Sequence, residues 1–240
     1  MSIPENTNIG NFVVIEEGVK IGDNVTIGHH TVILKDTEIG DNVTIGCNCV
    51  LGIRKSQNKN MRKSDSTAQH LVIQANSRIG NLVSIYSGTT IAQDTFIADH
   101  ASIRENVQIG NGTVIGRGAI IELNTQIGAN CTIQTMAYVT GDTTIEDHVF
   151  IGPCVSMSND KYMGAKEYIL KGPYIQEDAK IGNNATLLPA ITIGKSAIVG
   201  AGSVVTKNVD DYQTVIGSPA NVISYENSVS KGMIERDTTT

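Results

Sequence analysis

Ile109-Gly110-Asn111-Gly112-Thr113-Val114-Ile115-Gly116-Arg117-Gly118-Ala119-Ile120-Ile121 carries one pattern every six residues. A large aliphatic stands at Ile109, Ile115 and Ile121, and four positions beyond it comes a small or β-branched residue, Thr113 or Ala119. Steps of six in both directions keep meeting aliphatics, without a break from Ile73 to Met157. The same step runs from Ile3 to Leu51 and from Ile175 to Val205, thirty hexads in all. Neither a helical period of 3.6 nor a strand period of 2 gives this spacing. It describes short strands joined by tight corners, with one large and one small residue per hexad pointing inward. Gly follows the aliphatic in many hexads, as in Gly10, Gly22, Gly28, Gly40, Gly110, Gly116, Gly182 and Gly194. Gly and Asn are expected to supply the positive φ of the corners.

Composition agrees with strands. Ile occurs 32 times and Leu 8 times, an excess of the β-branched residue that a helical core would not select. Acidic residues outnumber basic ones, 24 to 18, which argues against a nucleic-acid partner, since phosphates need basic surface. No apolar run approaches the roughly 18 residues of a membrane span. The start, Met1 to Glu5, has neither the basic region nor the apolar stretch of a signal peptide. Cys47, Cys49, Cys131 and Cys154 form no CxxC pair, so a reducing, cytoplasmic setting with free thiols is expected. Cys49 and Cys131 fall in the small inward slot and are read as packing residues.

Two segments leave the register. Residues 52–72 part Leu51 from Ile73 by a distance that is not a multiple of six. Residues 158–174 lack the hexad signal although Ile175 returns in step, which fits a second loop or one distorted coil. The repeat body is taken as 1–223, with residues 224–240 as a short C-terminal cap and tail.

A hexad pattern of this length resembles the hexapeptide-repeat, left-handed parallel β-helix family. That resemblance implies an all-β fold in which three hexads make one triangular coil. Thirty hexads then give about ten coils, a prism about 45–50 Å long at the usual strand spacing. A β-helix alone does not fix a function. Val149-Phe150-Ile151-Gly152-Pro153-Cys154-Val155-Ser156-Met157-Ser158-Asn159-Asp160-Lys161-Tyr162 is similar to a segment of nucleotide-linked amino-sugar N-acyltransferases, among them the N-acyltransferases of dTDP-anthrose synthesis. Ile181 to Pro189, Gly200 to Lys207 and Gly217-Ser218-Pro219-Ala220-Asn221 resemble the C-terminal coils of many hexapeptide acyltransferases, with Asn221 where Lys is usual.

The resemblance implies an acyl-CoA co-substrate, a nucleotide-linked amino-sugar acceptor, and a homotrimer with sites between subunits. Sugar O-acetyltransfer and a non-catalytic scaffold are the alternatives. O-Acetyltransferases of this fold carry a His in the loop after the Gly-Pro segment, where it activates a hydroxyl as a general base. Ser158 to Gly164 contains no His, which favours an amine acceptor that attacks directly. The carbonic anhydrases of this fold use an H-x4-H pair for zinc; no such spacing occurs here, so no metal is expected.

Residues 84–106 lose the Gly after each aliphatic; Tyr86, Ala92, Ala98 and Arg104 take its place. Ser84, Asp94, Asp99, His100 and Glu105 make this stretch polar. Asp94 and Ser84 are the candidates to hold the amine, a choice the resemblance supports, against plain turn capping by Asp94. Tyr86, Asn159 and Asp160 are candidate substrate contacts. Arg54 and Lys55, with Lys59, Arg62 and Lys63 against Asp65, make the 52–72 loop basic and suited to the sugar diphosphate or to the coenzyme A phosphates, against a plain solvated loop. Ala201, Gly202 and Lys207 are the coenzyme A candidates by resemblance. His100 and His148 are read as ordinary corner residues.

Overall fold

The computed structural model of the protein describes residues 3–55 and 70–223. The chain winds as a left-handed parallel β-helix with no helix among the described residues. Three sheets of 12, 10 and 9 strands form its sides, called here A, B and C. The chain passes from A to B to C and back, one two- to four-residue strand at a time. Every pairing is parallel except the last, where Thr214–Ile216 turns back on Asn221–Val222. Eleven parallel strands stack in sheet A, so there are about eleven turns rather than ten. Thr214–Ile216 adds a strand beyond the last hexad at Val205.

The pairing register explains the six-residue pattern. Ile97, Ile115, Ile133, Ile151 and Ile181 lie one above another in sheet A, and all are fully buried. Each such side chain stabilises the coil by about 1.5–3 kcal/mol. The second inward slot is narrower and partly polar. Thr113 Oγ1 donates to the Gly128 carbonyl at 2.8 Å and accepts from the Cys131 N–H at 3.0 Å. Cys131 Sγ continues the row to the Glu146 carbonyl at 3.0 Å, and Cys49 Sγ does the same to Gly80 at 3.0 Å. Both thiols are buried packing groups, as their slot predicts.

The corners take their positive φ largely from Asn and Gly, as the sequence predicts, with Gly18, Gly88, Gly112, Gly118 and Gly202 among them. Positive φ falls on the third residue after the aliphatic, as at Asn24, Asn42, Asn130 and Asp94, with φ of 57°, 58°, 54° and 57°. Asn suits this conformation because its short side chain bonds locally, and Asn24 donates to Asn42, which donates to Asn76. The Gly directly after the aliphatic has another cause. A Cβ on Gly28 would lie 2.5 Å from the Gly46 carbonyl carbon, and one on Gly110 would lie 2.5 Å from that of Gly128. Glycine is required there by coil-to-coil approach.

The two register breaks both fall at a corner. The first strand before the break, Val50–Ile53, is in sheet B, and Leu71–Ile73 is the next strand of sheet C. The flanking strands therefore narrow the first break from 52–72 to 54–70, and residues 56–69 within it lie outside the described residues. The second runs from 158 to 173, between Ser156–Met157 in sheet B and Tyr174–Ile175 in sheet C. The cap expected over 224–240 lies outside the described residues, as do Lys59, Arg62, Lys63 and Asp65.

Candidate active site

Both loops leave from the same edge of the prism, the BC edge. On sheet B, five strand steps separate their points of departure, about 24 Å at the usual spacing. Between them the slot after the aliphatic holds Tyr86, Arg104, Glu122 and Thr140 in successive coils. On the AB and CA edges that slot is mostly glycine. Here side chains fill it instead, and Tyr86, Arg104 and Glu122 meet one another along the edge.

Arg104 organises the stack. Its guanidinium lies over the Tyr86 ring, 5.1 Å from the centroid. Nε and Nη2 donate to the two carboxylate oxygens of Glu105 at 2.9 and 3.2 Å. Nη1 reaches Glu122 Oε2 at 3.4 Å. Glu105 is nearly shut off from solvent, with a side chain 4% exposed, against 20% for Glu122. Burial works against the charged guanidinium, but the Glu105 bond and the fields of Glu105 and Glu122 outweigh it and raise the Arg104 pKa. From the next coil, Tyr138 has its phenol pKa raised by burial and by the Glu122 charge.

The upper loop closes over the far end of this row. Asn159 Nδ2 donates to the Gly141 carbonyl at 3.2 Å. Asp160 accepts from the N–H groups of Tyr162 and Gly164 at 2.8 and 2.7 Å, which shapes the turn. Lys166 sits 3.9 Å from the Tyr162 ring centroid, and Tyr168 meets that ring edge-on. Met163 and Ile169 project from the loop almost fully exposed.

The structure gathers some of the sequence candidates and separates others. Arg54, Lys55, Tyr86, Asn159, Asp160 and Lys207 all lie along the BC edge. The Arg54 guanidinium stands 4.0 Å from Asp36. Ser84 is beside that edge on the outer face of sheet B, paired with Val50 and Ser102. Ala201 and Gly202 are on the AB edge of a late coil, where Gly202 takes φ of 69° and donates to the Asn183 carbonyl. Asp94 is exposed on the CA edge, so within one chain sheet C lies between it and Ser84. Glu122 and Tyr138 escaped the sequence reading. Their signal was the loss of Gly at steps of eighteen, at positions 86, 104, 122 and 140.

The sequence pattern of the bacterial transferase hexapeptide (six repeats) matches residues 1–35, 88–122, 124–159 and 172–207. That of the hexapeptide repeat of succinyl-transferase matches 37–54. The chain belongs to the bacterial hexapeptide-repeat transferases. This transferase is 34% identical over 146 residues to the bifunctional protein GlmU of Trichodesmium erythraeum, covering 59% of this chain and 30% of that one. It is 40% identical over 89 residues to the serine acetyltransferase of Bacillus pumilus, covering 37% and 39%. The chain spans between 30% and 43% of the length of the first curated relatives it matches. In fold the transferase is similar to the UDP-N-acetylglucosamine acyltransferase of Francisella novicida, with a TM-score of 0.61, 20% identity and coverage of 89% and 68%.

Proposed function

We propose that this transferase moves an acyl group from acyl-CoA to the amine of a nucleotide-linked amino sugar, with dTDP as the nucleotide, as a cytoplasmic homotrimer. The observation that carries the reading is the BC edge. A polar row runs along it between the two register breaks, and the loop after the Gly-Pro segment holds no His over residues 158–173. An amine nucleophile needs no imidazole to attack a thioester. The C–N bond forms, the C–S bond breaks, and the amine's proton ends on the coenzyme A sulfur. A rigid prism supplies position.

In this reading Arg54 and Lys55 face the diphosphate, while Tyr86, Asn159 and Asp160 contact the acceptor. Ala201, Gly202 and Lys207 line the coenzyme A path, and no metal takes part. Ser84 and Asp94 hold the neutral amine, one from each of two neighbouring subunits, since one chain keeps them on different edges. Exposed bulky side chains at positive φ on the AB edge, Phe12, Leu82 and Met136, suit burial against a second copy, because such residues disfavour that conformation.

O-Acyl transfer has one observation behind it. His70, at the foot of the first loop, stands 3.8 Å from Glu38 and would be the base for a hydroxyl. A thiol-release assay with Ellman's reagent over dTDP- and UDP-linked amino sugars decides between them. Activity on an amino sugar that survives His70→Ala supports N-acyl transfer; activity on hydroxyl acceptors that His70→Ala abolishes replaces it. Asp94→Asn is expected to lower kcat/KM about tenfold or more while the assembly persists. Absence of any thermal shift with millimolar CoA would leave only a scaffold.

A further inference from the structure

In the proposed reaction Ser84 and Asp94 hold the amine once it is neutral, so a proton it arrives with must be taken off first. By analogy with an α-amino group of pKa about 7.7–8, a sugar amine is partly ammonium at neutral pH, and an ammonium cannot attack. Glu122 has the placement to deal with it. In the Gly-poor row of the BC edge it follows Arg104 by one coil, midway between the two loops.

The charges around it do not cancel. If Glu122 served only to balance Arg104, it would duplicate Glu105, which already takes that guanidinium with two shorter bonds, 2.9 and 3.2 Å against 3.4 Å. One cation thus faces two carboxylates. Of the two, Glu105 is sealed at 4% exposure, and Glu122 at 20% is the one a ligand can reach. Among the described residues, Arg104 faces Glu122 from the preceding coil and Tyr138 from the following one. Glu105 bears on it through the guanidinium. Asp142 ends the neighbouring row, where Asn124 donates to it. Of these, only Arg104 is a cation.

We infer that Glu122 is the proton acceptor of this transferase, a carboxylate that receives the acceptor's amino group as an ammonium and converts it to the nucleophile. Arg104 and Glu105 are positioning residues that hold it in place. The first ammonium proton passes to the Glu122 carboxylate and from there to solvent. The freed lone pair forms the C–N bond as the C–S bond breaks. The second proton, shed by the nitrogen after that bond forms, goes to the coenzyme A thiolate. This inference rests on the N-acyl reading and adds the proton path to it.

The test is the pH profile of kcat/KM for Glu122→Gln with a dTDP-linked amino sugar and acetyl-CoA. With the carboxylate gone, only amine that arrives neutral can react. The loss is expected to be about tenfold or more at pH 6.5 and to shrink within about threefold at pH 9, since neutral amine falls about tenfold per pH unit below its pKa. Equal loss at both pH values, or none at either, overturns the inference. Glu122→Ala gives an independent reading: acetate added at pH 6.5 should restore part of its rate, and no restoration counts against the inference. Should the natural chain release no thiol with any amino sugar, the N-acyl reading falls and the inference with it. An active natural chain with a flat Glu122→Gln profile removes the inference alone.

Discussion

Along the AB edge, Gly28, Gly46 and Gly80 let successive coils meet backbone to backbone, whereas along the BC edge Tyr86, Arg104 and Glu122 fill the same slot and meet side chain to side chain. The inward rows are alike beneath both. Ile97 and Ile115 under one edge are as buried as Ile103 and Ile121 under the other. The fold is held by the inward positions, and a corner can change character without disturbing register. That freedom lets one edge carry two loops and a charged row while the others stay closed.

The largest effect that separates the edges is expected from Arg104→Ala. It withdraws the guanidinium from buried Glu105, and losing one partner of a buried pair costs about 3–5 kcal/mol. Denaturant midpoints measure it, and pairing the change with Glu105→Gln should recover part of the loss. No recovery would mean that Arg104 acts through packing on Tyr86. Next comes Gly28→Ala, where the new Cβ meets the Gly46 backbone at 2.5 Å; about 1–3 kcal/mol should be lost. Glu122→Ala in the equivalent BC slot should stay within about 1 kcal/mol, since that side chain is partly open to solvent and only a secondary partner of Arg104. Equal losses at the two sites would erase the distinction between edges.

The smallest effect concerns alkaline pH. Burial and the Glu122 charge raise the folded-state pKa of Tyr138 above its unfolded value. The unfolded chain then gives up this proton first, so stability falls as pH climbs past the ordinary tyrosine value of about 10. Tyr138→Phe should make that decline in Tm shallower. An unchanged slope would show that the phenol is not held in the low-dielectric setting of the row.

The aliphatic register and both loops were legible in the sequence because burial acts on every sixth residue without regard to what lies between. The edges were not. They emerge at steps of eighteen, and the insertions break that count: Met157 and Ile175 are eighteen apart yet occupy sheets B and C. Ser84 and Asp94 looked close along the chain, yet the BC corner and sheet C lie between them. The glycines after each aliphatic were visible, but their cause was contact between coils; the positive φ fell two positions later, on Asn24 and Asn42 and on glycines such as Gly112 and Gly118. Glu122 was hidden because its neighbours, Leu123 and Asn124, read as any turn, while its partners come from adjacent coils.

The sulfhydryls that continue the threonine rows make the prism its own reporter. Cys49 and Cys131 sit at two heights along the axis, each sealed and each with its thiol pKa raised by burial, while Cys154 is open to solvent. An alkylating reagent should mark Cys154 at once and the sealed pair only when their own turns unwind. The order in which Cys49 and Cys131 become labelled then tells whether the column frays from its amino-terminal end or yields as one body.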